Sequence, residues 1–182
     1  MDLIVFVFHF NRGKFLENTI ASLSRHIPNS PVIIMDDGST EYNSMKIIKE
    51  LSSRYEIFSP DGGQNVEGWT GGLHGNMNRA MKIAQERGAK LALMLQDDMQ
   101  VVRDFRHEDF ETICSASELP DASFCVGSSF LTRKATADES QFKIAGKDIY
   151  QRVLSAPTDM QFVSHADVGF YAVEKFFQQI GC

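Results

Sequence analysis

The chain has 182 residues, 43% hydrophobic and 23% charged, with 18 Lys+Arg against 24 Asp+Glu and a net charge of −6. A chain of this length fits one domain that hides roughly 70% of its unfolded surface. The negative balance argues against a nucleic-acid backbone as partner, and no stretch is long and apolar enough to cross a bilayer.

Leu3–Phe8 is a short apolar run preceded by Asp2, without a basic flank, and is predicted as the first buried strand. Asn11-Arg12-Gly13 makes a turn. Phe15, Ile20, Leu23 and Ile27 then give a helical stripe over about residues 14–26, ended by Pro28. Pro31–Met35 is the second strand. A second helix over about 43–53 shows Met45, Ile48 and Leu51 on one face, and Tyr55–Phe58 is the third strand. Residues 59–75 form a glycine-rich loop holding Trp69. The next helix has Met77, Ala80, Met81 and Ala84 inside and Gly88 at its C-terminal cap. Lys90–Leu95 is the fourth strand, 107–118 a helix and Ala122–Leu131 strand-like. Residues 132–160 are polar and unassigned, and Phe162–Ile180 reads as a strand-loop leading into a helix. Strands alternating with helices predict an α/β, mostly parallel central sheet flanked by helices. Cys114, Cys125 and Cys182 lack metal-ligand spacing and read as reduced thiols of a cytoplasmic protein.

Two of the apolar runs end in aspartate pairs, Asp36-Asp37 and Asp97-Asp98. Ligands of open α/β sheets bind at such strand ends. Two carboxylate pairs there repel unless a cation or polar ligand lies between them. Asp36 and Asp37 can accept from a uracil N–H or a ribose hydroxyl; the plain alternative is a cap for the next helix. Asp98 suits a hard cation such as Mn²⁺ or Mg²⁺, with a solvated acidic turn as the alternative. The glycine loop has neither Gly-Lys-Ser/Thr nor a dinucleotide fingerprint. Trp69 is a candidate for stacking on a base or sugar, and His74 and Arg79 for reaching phosphates. His165 and Asp167, two apart in a strand, share a side and form a candidate acceptor-binding or base pair, or an ordinary strand edge.

In order, Val7-Phe8-His9-Phe10-Asn11-Arg12, Thr19–Leu23, Ile33-Ile34-Met35-Asp36-Asp37-Gly38-Ser39-Thr40, Asn76–Ala80 with Ala84 and Gly88, Gln96-Asp97-Asp98, and Ala166–Tyr171 with Phe177, Ile180 and Gly181 resemble the family 2 glycosyltransferases of the GT-A fold. The front half carries the specific motifs; residues 104–160 carry none. The resemblance implies a single GT-A domain over 1–182, with a nucleotide-sugar-binding half over 1–100 and an acceptor-side half over 101–182. It implies transfer of a sugar, usually with inversion, from a nucleotide-sugar donor, expected to be a UDP-sugar, to a glycan, lipid-linked or protein acceptor. By position, Phe8, Phe10 and Asp37 would hold base and ribose, with Asn11, Arg12 and Asp36 beside them. Asp97 would contact ribose or sugar, Asp98 the metal, and Arg79 the diphosphate.

Two features depart from the family pattern. Gln96 stands where the first Asp of the metal motif belongs. The family's base is an acidic residue beyond the Gly-Phe segment, where this chain reaches Gly181-Cys182. The expectation is that the base lies in a longer protein, that Asp167 serves, or that the domain does not catalyse alone. A catalytically silent nucleotide-sugar-binding module and a nucleotidyltransferase are the alternatives. The latter fits less well, since only one glycine follows strand one.

Overall fold

The structure, a computed structural model, describes residues 2–59, 72–119, 122–128, 142–146, 149–153 and 169–180. Its elements are β1 (Leu3–His9), α1 (Gly13–His26), β2 (Val32–Asp36), α2 (Tyr42–Leu51), β3 (Glu56–Phe58), α3 (Leu73–Glu86), β4 (Leu91–Gln96) and α4 (His107–Glu118). The second half adds β5 (Ala122–Ser128), β6 (Phe142–Gly146), β7 (Ile149–Val153), β8 (Gly169–Ala172) and α5 (Val173–Ile180).

The eight strands form one sheet in the order β3-β2-β1-β4-β8-β5-β7-β6. β3, β2, β1 and β4 run parallel. β8, β5, β7 and β6 continue the sheet through antiparallel pairings. The predicted parallel sheet is therefore its first half. β6 and β7 fall within 132–160, which the sequence pattern left unassigned.

β1 is central, so both of its faces are covered, and all seven of its residues are buried. Leu3, Val5 and Val7 enter one apolar cluster with Leu16, Ile20 and Leu23 of α1 and Phe110 and Ile113 of α4. Ile4, Phe6 and Phe8 enter the other with Met77, Ala80 and Met81 of α3. Phe6 is 0% exposed; truncating such a ring to Ala costs about 3–5 kcal/mol.

Two helical faces differ from the predicted stripes. Leu16 rather than Phe15 is buried in α1, and Phe15 is 52% exposed. In α2 Ser44 is buried while Met45 is 54% exposed. The cause is the approach of the two helix starts. A Cβ on Gly13 would lie 2.8 Å from the Ser44 Cα, so only glycine lets them meet. There the Gly13 N–H, an orphan of the first turn, donates to Ser44 Oγ at 2.8 Å. At the end of α3, Gly88 has φ 66°, its N–H bonds to Gln85 O, and the Ala89 N–H bonds to Ala84 O. This is a Schellman termination at the predicted glycine.

Candidate nucleotide-sugar site

The C-terminal ends of β1, β2 and β4 bring Phe10–Arg12, Asp36–Ser39 and Asp97-Asp98 to one edge of the sheet. The ladder continues past the strands: the Asp37 N–H donates to His9 O at 2.9 Å and the Asp97 N–H to Phe8 O at 3.0 Å. Both aspartate pairs are thus fixed on either side of β1.

Each of the four carboxylates has protein partners, neutral donors for Asp36 and Asp37 and the Arg12 guanidinium for Asp97 and Asp98. Asp36 is 4% exposed and accepts from the Ser39 N–H at 3.1 Å, Ser39 Oγ at 2.5 Å and Ser59 Oγ at 3.2 Å. It shapes the turn through Gly38, whose φ is 79°. Its oxygens are engaged within that turn. Asp37 is half-buried and accepts the Gly72 N–H at 2.6 Å and Asn76 Nδ2 at 3.4 Å, at the N-terminus of α3. A carboxylate is favoured there by the helix dipole.

Asp97 is 0% exposed. Its Oδ2 lies 2.6 Å from His9 Nδ1, and its Oδ1 lies 2.6 Å from Arg12 Nη2. The latter is an ion pair by distance, without hydrogen-bond alignment. The Phe10 N–H adds a long bond of 3.4 Å to Oδ2. This carboxylate is enclosed between β1 and α1, where Thr19 Oγ1 also donates to the Asp97 carbonyl at 2.6 Å. His9 is buried as well, and its Nε2 has no partner among the described residues. Asp98 is the accessible member of its pair. It is 37% exposed and accepts from Arg12 Nη1 at 2.8 Å. Arg12 thus bridges both carboxylates from the N-cap of α1. Its positive charge at the positive end of a helix dipole is offset by the two aspartates.

The remaining predicted residues divide by side-chain direction. Phe8, on the even face of β1, is 5% exposed and packs with residues of α3 in the core. Phe10 is 50% exposed beside Arg12. Asn11 has φ 52°, and its Oδ1 accepts the Thr40 and Glu41 N–H groups, each at 2.8 Å. Its side chain ties the β1 end to the loop after β2. Arg79 and His74 are exposed on α3. Trp69, His165 and Asp167 lie outside the described residues, as does most of the glycine loop. His9, Thr19, Ser39 and Ser59 were not singled out from the sequence. Ser39 had a signal there in the Asp-Gly-Ser turn, and His9 and Thr19 fall within segments that carry the family resemblance.

Asp98 has the chemistry of a hard-cation ligand. Among the described residues no group of three or more His, Cys, Asp or Glu side chains could enclose a metal. The donor set fits a divalent cation that takes most of its oxygens from phosphate and water. No helix among the described residues is long and apolar enough to cross a membrane.

A parallel sheet whose strand ends carry Asp-Asp pairs, extended by antiparallel strands, is the GT-A type of α/β fold. The glycosyl transferase family 2 model matches residues 4–110, and the chain belongs to that family. Staphylococcus aureus TarS 1–349, solved in complex with UDP, superposes with a TM-score of 0.59 at 13% identity, covering 100% of this chain and 49% of that one. The mannosyltransferase PcManGT of Pyrobaculum calidifontis, in complex with GDP-Man and Mn²⁺, gives 0.50 at 12% identity over 98% of this chain and 46% of that one. At such identities the likeness is one of fold, and the chain spans about half the length of these two structures. No curated protein matches the chain.

Proposed function

We propose that this chain is the donor-binding domain of a transferase that moves a sugar from a nucleoside diphosphate, with UDP the expected nucleotide, to an acceptor hydroxyl with inversion. What supports this is that Asp37, after β2, and the Arg12–Asp98 ion pair, between the ends of β1 and β4, lie on one edge of the sheet in a chain of glycosyl transferase family 2. Asp37 and the exposed ring of Phe10 would hold the nucleoside. Arg12 and Arg79 would face the diphosphate, with Trp69 and His165 as further candidate contacts. Asp98 would hold the Mn²⁺ or Mg²⁺, which when bound offsets charge on the leaving diphosphate. The acceptor oxygen attacks the anomeric carbon opposite that group while a base takes its proton; Asp167 is the candidate within this chain.

Calorimetry with UDP and GDP, each with and without Mn²⁺, tests the reading. Metal-enhanced binding of one nucleotide, weakened by Asp98→Asn, is the expected result. Absence of binding to either nucleotide under both conditions would overturn it.

A further inference from the structure

The bare carboxylate end of a GT-A sheet invites a cation, yet here one is already present. The Arg12 guanidinium spans the pair, 2.6 Å from Asp97 Oδ1 and 2.8 Å from Asp98 Oδ2. Its two ends differ. On the Asp97 side the partner carboxylate is fully buried and backed by His9, and the contact is an ion pair closed off from solvent on the carboxylate's side. The Asp98 side is open to solvent, with Arg12 itself 42% exposed, so that arm can move. A free divalent ion arriving at Asp98 meets an opposing positive charge about one contact distance away. It also gains few protein ligands, since no group of three or more metal-binding side chains exists among the described residues. A diphosphate changes both terms. It brings oxygens for the ion and offers the guanidinium a new acceptor, which arginine engages in the same planar geometry as a carboxylate.

We propose that Arg12 is an internal competitor for Asp98. It keeps a divalent cation off the site until a nucleoside diphosphate arrives, and then turns its free arm from Asp98 to a phosphate oxygen. The cation and the diphosphate therefore enter together, and the affinity of each depends on the other. The proposal rests on the donor-site reading above for the diphosphate, but the competition itself involves only Arg12, Asp98 and the ion.

The test is Mn²⁺ titration followed by electron paramagnetic resonance, without nucleotide, on wild type, Arg12→Gln and the Arg12→Gln/Asp98→Asn double variant. Arg12→Gln should bind Mn²⁺ about tenfold more tightly than wild type, the equivalent of one charge-assisted contact removed, and the double variant should lose that gain. UDP should tighten Mn²⁺ binding more in wild type than in Arg12→Gln. A folded Arg12→Gln, checked by thermal unfolding, that binds bare Mn²⁺ no more tightly than wild type overturns the proposal. Arg12→Lys keeps the charge but not the two-armed bridge, and should fall between the two; Mn²⁺ affinity unchanged in both variants likewise overturns it. A wild type that never responds to UDP or GDP sinks the donor-site reading instead, while the nucleotide-free comparison still decides the competition.

Discussion

His9 Nδ1 lies 2.6 Å from Asp97 Oδ2, and neither side chain reaches solvent. The pair joins the last residue of β1 to the first residue after β4, and Arg12 pairs with the same carboxylate. Removing one member of a buried pair leaves the other charge or dipole uncompensated. Asp97→Ala should therefore lower the unfolding free energy by about 3 kcal/mol. Asp98→Ala, at an exposed ion pair, should stay within about 1 kcal/mol of wild type. Urea denaturation of both variants checks this, and equal losses would remove the distinction drawn between the two aspartates.

Gly72 and Asp37 form a second tight junction. A Cβ on Gly72 would collide with Asp37 Oδ1, the carboxylate that receives the Gly72 N–H. Gly72→Ala should destabilise by about 1–2 kcal/mol through that overlap. In an Asp37→Ala background the same substitution should be nearly silent. A double-mutant cycle reads the coupling directly; additive effects would mean that the two residues do not constrain each other.

Asn11 combines a left-handed backbone with two accepted bonds from the Thr40 and Glu41 amides. Asn11→Ala loses both bonds and strains the backbone, with a cost of about 2 kcal/mol. Asn11→Gly relieves the strain alone and should fall between Ala and wild type. If Gly proves worse than Ala, the backbone conformation is not what the site requires.

Asp109 caps α4. Burial works to raise its pKa, but hydrogen bonds from the Arg103 guanidinium and the Arg106 N–H outweigh burial and hold it below the ordinary 3.8. A lowered folded-state pKa stabilises above the unfolded value, and that contribution disappears as pH falls through the folded one. Asp109→Asn should therefore be less stable than wild type at neutral pH. The gap should begin to narrow as pH drops below 3.8 and vanish only below the lowered folded-state value. Denaturation curves across this range decide it; a gap independent of pH would show that charge is not the cause.

The parallel half of the fold was legible because its signals are local. Apolar runs ended by Asp, Asn, Gly or Pro mark strands and turns, and Gly88 closed α3 as its sequence position indicated. The stripes through Phe15 and Met45 failed by one residue each. The helix starts are oriented by the Gly13–Ser44 approach, a long-range contact that periodicity does not encode. β6 and β7 had a weak signal, two short runs around Gly146-Lys147-Asp148 with apolar residues at alternate places, which a polar composition obscured. At the site, the sequence located the strand ends but not the direction of each side chain. Asp97 and Asp98 are neighbours in sequence, and the turn after β4 sends one inward to His9 and leaves the other at the surface. Nothing local could reveal that His9, 88 positions away, is the inward partner.

The ladder bonds that run beyond the strands have a consequence for recognition. Asp37 and Asp97 are held to the backbone of β1 from opposite sides, by way of His9 O and Phe8 O. Neighbouring strands lie about 4.8 Å apart, so the two aspartate pairs are separated by about 10 Å of hydrogen-bonded backbone. The edge acts as a ruler whose length no side-chain exchange can alter. A ligand that spans it must match that length itself.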